Sequence, residues 1–101
     1  MAQTLLQFDF PFAGPWGDEM AGALGGLAQD IATEPGLIWK IWTENRDEGR
    51  AGGLYLFDNP VDAARYKAKH TDRLAAFGIT GIVAHVFAVN PGLNAITRAP
   101  I

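Results

Sequence analysis

The sequence predicts an α+β fold with a four-stranded antiparallel sheet, in the order strand, helix, strand, strand, helix, strand. Three observations predict it. Four short runs carry strand-like apolar patterning, two stretches between them place apolar residues at helical spacing, and Pro or Gly breaks separate the pieces. The 101 residues read as one domain spanning 1–101, enough for a core but poor in volume relative to surface.

The first strand covers Thr4 to Phe10. Thr4, Leu6, Phe8 and Phe10 share one side, Leu5, Gln7 and Asp9 the other, and Pro11 with Gly14-Pro15 ends the run. From Trp16 to about Thr33, Met20, Leu24, Leu27 and Ile31 form one helical stripe, with Asp18 and Glu19 in the first turn where the helix dipole favours acids. Gly22, Gly25 and Gly26 oppose this helix by up to about 1 kcal/mol each relative to Ala. Packing must therefore hold it.

The central strand starts at Gly36 and is apolar at nearly every residue through Trp42, with Lys40 the only charge before Glu44. Such a strand is expected to be covered on both faces. Asn45 to Arg50 reads as a hairpin connection, and Ala51 to Phe57 is the return strand, with Gly53, Tyr55 and Phe57 on one side and Leu54 and Leu56 on the other. Gly52 and Gly53 leave a gap in its side-chain cover.

Asn59 is a cap and Pro60 a first residue for the second helix, which runs to about Phe77 and stops at Gly78. Ala63, Ala64, Thr71, Leu74 and Ala75 form its expected inward face, with Arg65, Lys69 and Asp72 outward. Tyr66, His70, Arg73 and Phe77 make a connected stripe at the border of the two faces. Gly81 to Val89 is the last strand, again mostly apolar on both sides, and the tail from Asn90 to Ile101 is expected to lie across a partner subunit. The order amounts to two split βαβ units, the ferredoxin-like arrangement. With both helices on one face of the sheet, the apolar opposite face calls for a homodimer.

Composition excludes several classes of function. The net charge is −3 and the eight Lys and Arg are scattered, so nucleic acid is not an expected partner. There is no cysteine, which removes disulfides, thiolate metal sites and a Cys nucleophile, and the two histidines are too far apart in sequence to suggest a His-rich metal site. The first residues lack the basic start and long apolar run of a signal peptide, and no run reaches membrane-spanning length. No membrane partner and a cytoplasmic location are the expectations.

Leu5-Leu6-Gln7, Gly14-Pro15-Trp16-Gly17-Asp18, Glu34-Pro35-Gly36 with Trp39-Lys40-Ile41-Trp42-Thr43-Glu44, Ala51 to Phe57, and Lys69-His70-Thr71-Asp72-Arg73-Leu74 occur in an order and spacing that cover most of the chain. In these pieces the sequence resembles the YdhR-type monooxygenase family, within the dimeric α/β-barrel superfamily that includes antibiotic-biosynthesis monooxygenases. The resemblance implies a homodimer whose sheets face each other as a barrel, with a pocket in each subunit between sheet and helices. It further implies oxidation of a small or polycyclic aromatic, phenolic compound by O₂ with neither metal nor flavin, so no cofactor is expected. The alternatives are a haem-binding or haem-degrading barrel that uses His70 as iron ligand, and a non-catalytic binding module for small apolar metabolites.

Such a pocket needs flat surfaces and a few polar contacts. Trp39, Trp42, Phe8, Phe57 and Tyr66 are the candidate surfaces for an aromatic substrate, and Arg73 a candidate partner for its carboxylate or phenolate. Gln7, the Tyr55 hydroxyl and His70 are the candidate catalytic groups, His70 being the one suited to take a proton near neutral pH. Each has a plain structural reading too: a core aromatic, an ordinary Arg ion pair, a polar contact at the dimer interface for Gln7. Trp39 and Trp42 differ by three positions, so in a strand they point to opposite faces. His85 reads most simply as a core or interface histidine.

Overall fold

The computed structural model describes residues 2–101. Its elements are β1 (Thr4–Pro11), α1 (Gly17–Ala23), α2 (Gly25–Ala32), β2 (Leu37–Asn45), β3 (Arg50–Phe57), α3 (Pro60–Ala76), β4 (Val83–Ala88) and α4 (Pro91–Ile96). The strands form one antiparallel sheet in the order β2-β3-β1-β4, which is the ferredoxin-like arrangement. No helix among the described residues is long and apolar enough to cross a membrane.

The register assigns the two faces. Leu6 lies opposite Tyr55 and Val86, and Phe8 opposite Gly53 and Ala84, so these residues share the face that packs on the helices. Leu6, Phe8, Tyr55 and Phe57 are almost wholly buried there with Ile31 of α2 and Ala63, Tyr66 and Leu74 of α3. The opposite face carries Leu5, Gln7 and Asp9 of β1 beside Phe87, His85 and Val83 of β4. It is much more open: Ile41, Val83 and Phe87 are each more than 40% exposed. Asp9 on this side is met by Arg50, Nε to Oδ1 at 3.0 Å.

Three features depart from the sequence expectation. The helix expected over 16–33 is two short helices that meet at Leu24, whose φ of −104° and ψ of 8° break the helical path beside Gly25 and Gly26. The stripe survives the break: Met20 and Ile31 are buried, and Leu24 and Leu27 pack against the core. In α3 the inward face is rotated from the expected one. Tyr66 and His70 are at its buried centre with Ala63 and Leu74, whereas Ala64 and Ala75 are exposed, because the large rings bury more apolar area against β1 and β3 than alanines do. Finally, the tail contains α4, capped by Asn90 through Leu93 N–H at 3.1 Å, and Pro100 returns to its own chain, where its carbonyl accepts from Trp39 Nε1 at 2.7 Å.

The helix starts and turns follow local chemistry. Asn59 Oδ1 accepts from Asp62 N–H at 2.8 Å and Pro60 occupies the first turn of α3. In the β2–β3 turn Asn45 Oδ1 accepts from Glu48 N–H at 3.0 Å. Gly52 has a different role. A Cβ on it would lie 1.9 Å from the Phe8 carbonyl oxygen, so the close approach of β3 to β1 requires glycine there.

Gly22 and Gly52 should therefore respond oppositely to alanine. Gly22→Ala, with open space around the new methyl group, is expected to raise stability by about 0.5–1 kcal/mol through helix propensity. Gly52→Ala is expected to lose about 3 kcal/mol or more through backbone displacement. Urea unfolding of both variants measures the pair, and similar shifts for the two would contradict the packing described.

Candidate functional site

A cavity of about 180 Å³ opens between the helix-side face of the sheet and α1, α2 and α3. Phe10 of β1, Phe12, Met20, Leu24, Leu27 and Leu74 supply most of its apolar wall, and Lys40, Trp42, Tyr55 and His70 bring the groups with polar or π character. The volume is below the ~300–1,000 Å³ usual for drug-sized ligands, so a compact ring system fits it best. Glu44 ties the outer end of α1 to β2 by accepting from Gly17 N–H at 2.9 Å.

The cavity floor is a cluster of rings. Phe8 meets Tyr55 edge-on at 5.8 Å between centroids and His70 at 5.0 Å, while Tyr66 stacks on His70 at 5.1 Å with an interplanar angle of 18°. Phe57 lies behind, 5.6 Å from Tyr66. These contacts fix the imidazole and the Tyr55 ring in place. The Tyr55 and Tyr66 rings lie 5.1 Å apart between centroids, and Arg73 Nη2 donates to the Tyr66 oxygen at 3.3 Å. Arg73 Nε also donates to His70 Nδ1 at 3.2 Å, and Nη1 pairs with Asp30 at 2.9 Å. One guanidinium thus links α2 to the buried end of α3.

The electrostatics follow from burial. Desolvation pushes the Tyr55 hydroxyl well above the ordinary phenol range, with Tyr66 adding to the shift, so Tyr55 acts only as a neutral phenol. Tyr66 is pushed up to about 12 by burial. His70 is lowered to about 3, first by burial and then by the charges of Lys40 and Arg73. It is neutral at pH 7 and a weak base. The expectation that His70 takes a proton near neutral pH therefore needs correction, since two cations and an apolar cage oppose the imidazolium. Lys40 is lowered to about 7, by burial first and Arg73 second.

Of the residues singled out from sequence, Trp42, Tyr55 and His70 line this cavity together. Phe8, Phe57, Tyr66 and Arg73 stand behind its wall and support Tyr55 and His70. Gln7 and Trp39 are elsewhere. Gln7 pairs with His85 and Leu54 on the far face of the sheet, and Trp39 pairs with fully buried Leu56 on that same face, where the tail reaches it. Strand alternation separates both from His70. Lys40 was missed as a site residue, although its position two residues before Trp42 in an apolar strand was the available signal: residues i and i+2 share a face.

Haem fits these residues poorly. The His70 ring is packed between Tyr66 and Phe8 and its Nδ1 is taken by Arg73, and the cavity is small for a macrocycle.

The chain matches the model of the family described as "Putative mono-oxygenase ydhR" over residues 5–100. It belongs to this family. No curated protein matches the chain. Among solved structures, the ydhR-family chain is similar to a mutant of SnoaB, a cofactor-independent oxygenase from Streptomyces nogalater, with a TM-score of 0.63 and 16% identity over 89% of this chain and 95% of that one. Protein SO0527 from Shewanella oneidensis gives 0.63 and 17% over 87% and 91%, and a putative antibiotic biosynthesis monooxygenase from Deinococcus radiodurans 0.58 and 15% over 86% and 92%. At these identities the likeness is one of fold.

The His70 environment has a consequence for stability. A histidine whose folded pKa is below its unfolded value binds fewer protons in the folded state between about pH 3 and 6.5, so stability falls as the pH is lowered through that window. The slope assignable to His70 is expected to reach about 1 kcal/mol per pH unit. Urea unfolding of wild type and His70→Gln between pH 4 and 7 measures it, and equal pH slopes for the two proteins would remove the neutral-histidine assignment.

Proposed function

We propose that this ydhR-family protein is a cofactor-independent monooxygenase that oxidises a small phenolic aromatic compound with O₂. The observation that carries the reading is the largely apolar cavity that Trp42 and Tyr55 line together. Membership in a family named for mono-oxygenases supports the reaction class. The similarity in fold to a cofactor-independent oxygenase agrees with it.

The chemistry asks little of the protein. An electron-rich phenolate gives one electron to O₂, the radical pair joins through a carbon–oxygen bond, and loss of water from the resulting hydroperoxide leaves a quinone. The overall change is ArH(OH) + O₂ to quinone + H₂O. The protein holds the ring against Trp42 and beside Tyr55, and excludes water with Phe10, Phe12, Met20 and Leu24.

The reading includes a homodimer that works in the cytoplasm. Ile41, Val83 and Phe87 on the sheet face away from the helices are each over 40% exposed, and a second copy of the same face covers them.

The chemical test is anaerobic titration with mono- and dihydroxynaphthalenes followed by admission of O₂. Binding followed by O₂ uptake without added metal or flavin is expected, with Trp42→Ala weakening binding about tenfold through lost stacking. Binding without uptake across the panel would favour a carrier of aromatic compounds instead. Separately, sedimentation equilibrium is expected to give a dimer for the wild type and a monomer for Ile41→Glu/Phe87→Glu, and a monomeric wild type would remove the dimer from the proposal.

A further inference from the structure

Lys40 is out of place by ordinary rules. A lysine at the edge of an apolar pocket usually extends its ammonium to water, and one turned inward usually meets a carboxylate. Lys40 does neither. Its Nζ lies 3.2 Å from the centroid of the Trp42 ring and 4.6 Å from that of Tyr55, on the cavity side of β2. The ion pairs among the described residues join Arg50 to Asp9, Arg65 to Asp62, Lys69 to Glu34 and Arg73 to Asp30, and none includes Lys40. No Asp or Glu lines the cavity.

The fold makes room for this placement. A Cβ on Gly53 would come within 2.7 Å of Lys40 Cε and 3.3 Å of the Tyr55 ring, so the missing side chain at Gly53 is the space through which the lysine stem passes. The two aromatic faces favour a cation beside them. They do not neutralise it, and among the described residues the cavity lining holds no carboxylate to pair with it.

The geometry points to Lys40 as the residue that selects the substrate: it takes an aromatic ring bearing an acidic oxygen, a phenol, enol or carboxylic acid, and pairs with the oxyanion. The inference rests on the cavity being the substrate site, as proposed above. If the ligand enters as a phenol and Lys40 as a free amine, the O–H bond breaks, the proton forms the new N–H bond on Nζ, and the electron pair stays on oxygen. If they meet as phenolate and ammonium, no bond changes. Either route ends in an ammonium–oxyanion pair against Trp42, which is the electron-rich anion that reaction with O₂ requires.

The titratable groups that act on Lys40 are Tyr55 from β3 and His70 and Arg73 from α3, with Tyr66 and Asp30 in turn held by Arg73. Tyr55 and Tyr66 stay neutral, and His70 is uncharged above about pH 3, so Lys40, lowered to about 7, is the cavity group that changes charge near neutrality. An anion that binds only the ammonium form then loses affinity by about tenfold per unit above pH 7 until the raised pKa of the complex is reached.

Isothermal titration calorimetry with 2-naphthoate, an anion throughout pH 6–9, and its neutral isostere 2-naphthamide tests this. The wild type is expected to bind naphthoate at least about tenfold tighter than the amide at pH 6, with the preference shrinking above pH 7. Lys40→Met is expected to abolish the preference and its pH dependence while leaving amide affinity within about threefold, and Lys40→Arg to keep the preference without the pH dependence. A preference that survives in Lys40→Met, or a wild-type preference that is flat from pH 6 to 9, overturns the assignment of Lys40 but leaves the cavity reading intact. The wild-type pH series needs no variant to fold. Absence of binding by either ligand removes both the assignment and the proposed substrate site.

Discussion

The packing of Tyr66, His70 and Leu74 of α3 onto Phe8 and Tyr55 of the two central strands is the contact on which the rest of the structure depends. It combines a large apolar area with defined ring geometry, so it both stabilises the helix-side layer and fixes the angle at which α3 crosses the sheet. Because β1 and β3 are the inner strands, whatever seats α3 on them also sets the depth of the cavity beside it. Polar atoms in this layer are satisfied within it. Arg73 reaches the Tyr66 hydroxyl and the His70 ring and is itself held by Asp30, and no buried side-chain polar atom among the described residues is left without a partner.

The same burial decides the electrostatics. A histidine and two tyrosines at neutral pH sit uncharged beside Arg73 and Lys40, and the charged side chain that lines the cavity is the lysine although the chain carries a net charge of −3. That contrast separates the site from the surface: acidic residues are placed outside the cavity, as with Glu44 at α1 and Asp30 on Arg73, and none lines it. An enclosed, apolar and locally positive volume favours an aromatic anion over either a cation or a neutral polar ligand.

The layer on the far side of α3 is looser. Alpha1 and α2 meet at a non-helical Leu24, and the methyl group of an alanine at Gly22, Gly25 or Gly26 would touch nothing within 4 Å. These helices form one wall of the cavity through Met20, Leu24 and Leu27. They are held by the apolar stripe, by the Gly17 to Glu44 tie to the sheet and by the Asp30 to Arg73 tie to α3.

By itself the sequence determined the four strands in their order, the long second helix and the family, though not the break at Leu24 or the helix in the tail. Alternation in Thr4 to Phe10, the Asn59-Pro60 helix start and the Pro-Gly break before β2 are local signals, and neighbouring residues suffice to read them. It also separated Trp39 from Trp42 by strand parity, though not which of the two turns inward. That choice came from register, with Trp42 opposite Gly53 on the helix side and Trp39 opposite Leu56 on the other, and the same pairing carried Gln7 away from His70. Only the tertiary structure showed that Tyr66 and His70 are the buried centre of α3, that His70 is held neutral, and that Gly53 leaves space for Lys40. Each depends on what packs against a residue from a distant part of the chain, and burial and charge proximity are properties of that assembled neighbourhood.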